Sequence, residues 1–231
     1  MRKIIAAILL FGTASVCMAQ PDKNIDFRKH FFWGIAFCGT QAKMKMKLSP
    51  EFYKRTDSLS SIKPLGQAGG GFGGTVAYKF GRDRKMEVKA QTMLQLHQRN
   101  LQYNWAHTAG PNLKIESISF DLPVDLKYYS DMPKKTRFYV LGGLRYSYDF
   151  QSNQGVVIGN SKPLVAVKKN TWYYEYGAGF EFRLDFVDMS LELRMSNGLS
   201  NALVRVPDSY YSGSLQSIFP RLFSISLMAQ N

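Results

Sequence analysis

The chain has 231 residues, 45% of them hydrophobic, 14% aromatic and 20% charged, with a formal charge of +13. That supplies one sizeable core and excludes a disordered chain. Two cysteines exclude a disulfide scaffold, and no apolar run of about 18 residues after the N-terminal segment excludes a helical membrane protein.

Met1-Arg2-Lys3 gives a basic start, Ile4 to Val16 an apolar stretch of signal-peptide length, and Cys17-Met18-Ala19 a small-residue cleavage site. The expected organisation is a signal peptide over 1–19, a short periplasmic segment over 20–30, and one domain over 31–231. Val16 is a poor neighbour for a lipidated Cys17, which disfavours a lipoprotein signal. Cleavage removes Arg2, Lys3 and Cys17, lowering the charge from +13 to +11 and leaving Cys38 as a single thiol.

From there the hydrophobic period is two, the signature of half-buried strands. Strand one, 31–39, alternates Phe31, Trp33, Ile35 and Phe37 with Gly34, Ala36 and Cys38. Strand two, 67–80, sets Phe72, Val76 and Tyr78 against Gly73, Thr75, Ala77 and Lys79. Strand three, 85–99, sets Val88, Leu94 and Leu96 against Glu87, Lys89, Gln95, His97 and Arg99. Strand four, 115–129, sets Phe120, Leu122, Val124 and Leu126 against Ser119, Asp121, Asp125 and Lys127. Strand five, 137–149, sets Phe138, Val140 and Leu144 against Arg137, Arg145 and Asp149. Strand six, 171–183, sets Trp172, Tyr174 and Tyr176 against Glu175, Glu181 and Arg183. Strand seven, 187–197, sets Leu191 and Leu193 against Glu192 and Arg194. Strand eight, 219–229, sets Phe223, Ile225 and Leu227 against Ser224 and Ser226.

The connections alternate. Gly81 to Arg84, Ser130 to Lys135 and Leu184 to Phe186 are short, whereas 40–66, 100–114, 150–170 and 198–218 are long. Short turns on one rim and long loops on the other are the pattern of an outer-membrane barrel. The expected fold is therefore all-β: an eight-stranded antiparallel transmembrane β-barrel of the outer-membrane type. Charge is nearly absent from the apolar face, and aromatic rings gather towards the strand ends, as lipid contact requires.

The charged face then looks inward. Lys79, Lys127, Arg137, Arg183 and Asp149 lie on it, and Glu87, Lys89, Arg99, Asp121, Asp125, Arg145, Glu175, Glu181, Glu192 and Arg194 are expected to form an interior salt-bridge network. Eight strands leave a lumen that side chains can fill. Near-balanced charge in that space predicts a polar plug rather than a channel. The glycines at 69–71, 73 and 74 make room for long neighbours or allow curvature.

No residue set points to catalysis, a cofactor or a metal. His30, His97 and His107 have no metal-ligand spacing. A serine and histidine near one rim would suit a lipid-modifying hydrolase, with His97 and His107 in reach, but serines are too plentiful to be diagnostic. Gly69 to Gly74 lies within a strand and makes no phosphate loop. The loop lysines, Lys43, Lys45, Lys47, Lys54, Arg55 and Lys63 with Lys162, Lys168 and Lys169, suit anionic lipid headgroups or lipopolysaccharide, and equally a solvated loop face with no partner. Nucleic acid is not an expected partner of an exported barrel.

Several stretches resemble a known family. The run Ser119 to Tyr128 resembles a strand of a barrel superfamily common in Bacteroidetes-type bacteria. Tyr139-Val140-Leu141-Gly142-Gly143, Glu175-Tyr176-Gly177-Ala178-Gly179 and Leu191 to Asn201 are similar to the PorT family of the type IX secretion system. The likeness runs over about residues 30–229, and Glu192 to Asn201 is its most specific part. It implies a non-enzymatic integral protein of the cell outer membrane, required for secretion of proteins with a C-terminal sorting signal and partnered by other outer-membrane subunits of that system. It carries no catalytic residues. One departure is the end, Leu227 to Asn231, which lacks a terminal aromatic residue. For the partner contact, Asn197, Asn201, Leu203, Tyr210 and Tyr211 are candidates, on the expectation that segment 198–218 exposes apolar groups. The alternatives are a small structural or adhesive barrel and, below it, a lipid A-modifying hydrolase.

Overall fold

The computed structural model describes residues 30–50, 52, 59–81, 84–105, 109–131, 135–152, 165–184, 186–204 and 214–231. The expected signal peptide over 1–19 and segment 20–29 lie outside them. Apart from Phe31, the described strands belong to the compact unit Phe32–Asn231.

Eight antiparallel strands close in sequence order into a barrel: β1 (Phe31–Leu48), β2 (Leu59–Phe80), β3 (Met86–Trp105), β4 (Ala109–Tyr129), β5 (Thr136–Asp149), β6 (Asn170–Arg183), β7 (Asp188–Gly198) and β8 (Leu215–Gln230). β1 pairs with β8 from Gly34 opposite Gln230 to Leu48 opposite Leu215, so the sheet has no free edge. Closure matters because hydrocarbon offers no partner to an unbonded N–H or C=O.

All the expected strands are present, but five run past their expected ends on the rim opposite the short turns. β1 reaches Leu48, β2 starts at Leu59, β3 reaches Trp105, β4 starts at Ala109 and β8 starts at Leu215. The long loops expected over 40–66 and 100–114 shrink to 49–58 and 106–108. β5, β6 and β7 are short, at 14, 14 and 11 residues. The barrel therefore has a tall wall, from β8 through β1 to β4, and a low wall of β5–β7.

The extra length has a physical cause that the side chains reveal. On β3 the outward apolar positions run from Met86 to Leu96. At ~3.3 Å per residue and a tilt of ~40°, this makes a belt about 25 Å tall, the height of a barrel's apolar band. Trp33, Ile35 and Phe37 on β1, Val124 and Leu126 on β4, and Leu191 and Leu193 on β7 continue it, all exposed. Above the belt the two faces exchange chemistry while keeping their phase. On β1 the outward residues become Lys43, Lys45 and Lys47, and the inward ones Ala42 and Met44 are buried. On β3 the outward residues become Gln98, Gln102 and Asn104, while Leu101 and Tyr103 are buried. The outer segment is thus built like a water-soluble barrel, apolar inside and polar outside, standing on a membrane barrel of the opposite polarity. A bulge in β2 marks the changeover, with Gly66 and Gly70 opposite Arg99 and Leu96.

Met44, Ile62, Leu101, Tyr103, Ile115, Leu215 and Ile218 line the outer lumen. Val165, Val167 and Leu203, from the connections of the low wall, pack into the same cluster, and Val167 and Leu203 pair as a β-bridge. These connections close the mouth that β5–β7 are too short to wall.

Candidate functional site

The site is the lumen. Its charged residues sit on alternate positions of strands whose other face must meet lipid, so the pleat alone turns them inward. Glu87, Lys89, Asp121, Asp125, Arg145, Glu175, Glu181, Glu192 and Arg194 are all buried. Lys79, Lys89 and Lys127 are at most 1% exposed, a position lysine rarely takes without partners.

The partners form one chain of alternating sign along the barrel. Starting at the short-turn rim, Arg137 bonds Glu181 through Nε at 2.9 Å and also through Nη2. Lys79 Nζ joins Glu181 at 3.2 Å and Glu87 at 3.8 Å. Lys127 Nζ joins Glu87 at 3.4 Å and Glu192 at 3.6 Å. Arg194 then reaches Glu192 at 2.6 Å, Asp125 at 2.8 Å and, through Nη1, Glu175 at 2.8 Å. Arg145 closes the series, with Glu175 at 3.3 Å and Asp121 at 3.5 Å. Lys89 cross-braces it, 3.0 Å from Glu192 and 3.5 Å from Asp125. Buried ions are tolerable only when paired and bonded in this manner.

Two tyrosines complete it. Tyr129 Oη lies 2.6 Å from Glu87 and 2.8 Å from Glu181, and Tyr139 Oη donates to Glu192 at 3.0 Å. Their rings lie under cations, with Arg137 4.0 Å from the Tyr129 centroid and Lys127 4.3 Å from that of Tyr139. The sequence reading missed both hydroxyls. Their odd positions, in phase with Asp125, Lys127, Arg137 and Arg145, were the available signal. Gly143 and Gly179 provide the room: a Cβ at Gly143 would fall 2.4 Å from Asp125 Oδ1, and one at Gly179 2.6 Å from Tyr139 Oη.

One expected member of the network, Arg99, and one residue expected on the inward face, Arg183, sit elsewhere. Arg99 stands above the ionic chain, its Nη2 2.6 Å from His97 Nε2, and forms no ion pair among the described residues. Its height is that of the polarity changeover, opposite Ile115 and two positions below Leu101. Arg183 lies at the short-turn rim, about half exposed and 3.4 Å from Asp188 Oδ1, because the lumen ends there.

His97 and Ser117 face each other in the β3–β4 register. The Ser117 hydroxyl donates to Asp149 Oδ2 at 2.5 Å, while His97 faces Arg99. Arg99, Ser117, Asp149 and Tyr173 border a cavity of about 10 Å³, room for about a single water. His107 lies outside the described residues.

The structure describes three of the candidate contact residues, and Leu203 is not exposed as expected. Leu203 is buried in the outer apolar cluster, because the low wall leaves the lumen's mouth for it to fill. Asn201 Oδ1 accepts from Leu203 N at 3.0 Å and Ile218 N at 2.9 Å, clamping this connection onto β8. Asn197 is buried on the outer wall between Tyr174 and Arg221 of the neighbouring strands. All three side chains serve the chain's own packing. Tyr210 and Tyr211 lie outside the described residues.

The model of a family described as outer membrane protein beta-barrel domain matches residues 18–204. The chain is similar to the outer membrane protein AlkL, solved by solid-state NMR in DMPC bilayers, at 13% identity and a TM-score of 0.54, over 91% of this chain and 93% of that one. It is also similar to OprG from Pseudomonas aeruginosa, at 12% identity and a TM-score of 0.48, over 87% and 93%. The outer membrane protease OmpT from Escherichia coli aligns at 8% identity and a TM-score of 0.47, over 92% and 98%. These likenesses are of fold. No curated protein matches the sequence.

Proposed function

Because the chain belongs to the outer membrane protein beta-barrel domain family, we propose that it serves in that membrane as a non-enzymatic component of type IX secretion, scaffolding or assembling the translocon. Its placement follows from the family and from an apolar belt that only lipid can cover. The secretion role is our reading, and it rests on the likeness of Glu192 to Asn201 and the other quoted stretches to the PorT family.

One observation carries the mechanism: among the described residues, the ionic chain from Arg137 to Asp121 and the apolar cluster above it occupy the lumen. A barrel so filled offers no passage to a protein, so its contribution is made by its outside. The short turns, the lipid-facing belt and the tall outer wall are the surfaces on which larger subunits would dock. With Asn197, Asn201 and Leu203 engaged internally, the tall wall is the favoured surface.

The test is a deletion strain complemented with the full chain. Simultaneous loss of many secreted proteins bearing the C-terminal sorting signal is the expected result, and subunits of the apparatus should co-purify from native membranes. An isolated adhesion defect with normal secretion would support the alternative of a structural or adhesive barrel. A change in lipid A mass upon expression in another bacterium would instead support a lipid-modifying enzyme.

A further inference from the structure

β8, β1 and β2 are consecutive in the barrel, and none of them contains an aspartate or glutamate. The inner-face carboxylates of the ionic chain all come from β3 to β7. Above the belt the outer faces of these strands carry Lys43, Lys45, Lys47, Lys63 and Arg221, every one exposed and none ion-paired among the described residues. This sector of wall is thus uniformly positive.

Its position relative to lipid is fixed by register. Phe223 is the top of the belt on β8 and lies opposite Gln41, and the next outward pair is Arg221 opposite Lys43. Two residues of strand are ~7 Å, so the first cationic pair stands directly above the hydrocarbon. Lys43 lies along the wall rather than into water, since a Cβ at Gly66 would fall 2.7 Å from its Cε. Lys45 and Lys47 follow at successive outward positions, opposite Phe219 and Ser217.

We propose that this sector binds the phosphorylated glycolipid headgroup of outer-leaflet lipopolysaccharide. Height selects this ligand over a phospholipid. From Lys43 to Lys47 the stripe rises ~10 Å, taking ~3.3 Å per residue and the usual tilt. A phospholipid headgroup zone is only ~5–8 Å deep and holds its phosphates at one level. Lipopolysaccharide carries several phosphates on a sugar scaffold that continues outward from the acyl chains. Arg221 and Lys43 suit the innermost phosphate by charge-assisted bonding, and Lys45, Lys47 and Lys63 suit anionic groups further out. The surface is independent of the secretion role, because it needs only the membrane placement.

The experiment is titration of the full-length protein in neutral detergent with purified lipopolysaccharide, the same material stripped of phosphate, phosphatidylglycerol and inorganic phosphate. The K43A/R221A variant should bind lipopolysaccharide at least tenfold more weakly, with an unchanged heat-dependent gel shift showing an intact barrel. Phosphate removal should weaken binding of the unaltered protein to a similar extent. K45A/K47A should also weaken lipopolysaccharide binding, while leaving the weaker binding of phosphatidylglycerol unchanged. Binding of both double variants within twofold of the unaltered protein would overturn the proposal. So would phosphatidylglycerol binding as tightly as lipopolysaccharide, or equal binding of the dephosphorylated glycolipid.

Discussion

Arg194 on β7 and Asp125 on β4 meet at 2.8 Å although their strands are three places apart round the barrel. The contact spans the lumen as a chord, and Lys79 with Glu181, on β2 and β6, forms another. Backbone pairing ties each strand to its neighbours, whereas these chords tie opposite walls together.

Removing Arg194 would take from three buried carboxylates, Asp125, Glu175 and Glu192, a cation they share, leaving them to Lys89, Lys127 and Arg145. Breaking a buried pair from one side costs about 3–5 kcal/mol. R194A should therefore unfold from detergent at clearly lower denaturant than the unaltered protein. R194K should fall between them, since one ammonium cannot reproduce the fork. An R194A midpoint equal to that of the unaltered protein would remove the ionic chain from any part in stability.

The filled lumen makes an electrical prediction. The purified protein in planar bilayers should pass no steady current over repeated insertions. Long-lived, reproducible openings would contradict the plug and, with it, the reading that the barrel is no conduit.

The exchange of polarity between the two heights predicts opposite responses to charge. Val124 is outward in the middle of the belt and 52% exposed, so V124R should cost about 2–4 kcal/mol in a bilayer. Lys45 is also outward but above the belt, and K45E should shift the same unfolding curve by less than about 0.5 kcal/mol. Equal sensitivity at the two positions would show that the belt does not end where we place it.

Two glycines test the fit of the interior. A Cβ at Gly143 would lie 2.2 Å from Val124 O, whereas one at Gly39 would meet nothing within 4 Å. G143V should leave little heat-modifiable, folded barrel in the membrane fraction, and G39A should assemble at the normal level.

The cap should behave as a folded element. L203D places a charge among Met44, Leu101, Tyr103 and Ile218, and should expose the outer connections to protease on intact cells while the membrane-embedded barrel stays protected. Unaltered resistance would mean that the cap is held by something other than Leu203.

The strand count, the orientation of the faces and the identity of nearly every luminal charge were legible, because lipid on one side leaves the pleat only one way to turn. The outer halves of β1 to β4 were harder to see. Lys43-Met44-Lys45-Met46-Lys47-Leu48 alternates as cleanly as any stretch of the belt, but with the chemistry reversed. A rule that follows the outward greasy residues stops at Phe37. The pairings inside were not legible either. Lys79 and Glu181 are 102 residues apart, and which opposite-wall charges share a level depends on barrel stagger, which the alternation does not encode. Leu203 failed for a related reason: its burial comes from the shortness of β5–β7, a property of other segments.

Five long staves and three short ones give the cylinder a front and a back. A neighbour drifting in the plane of the bilayer meets a high parapet from one bearing and a low sill from the other, so rotation about the membrane normal is no longer a matter of indifference. Any complex assembled around this barrel inherits a compass direction from it.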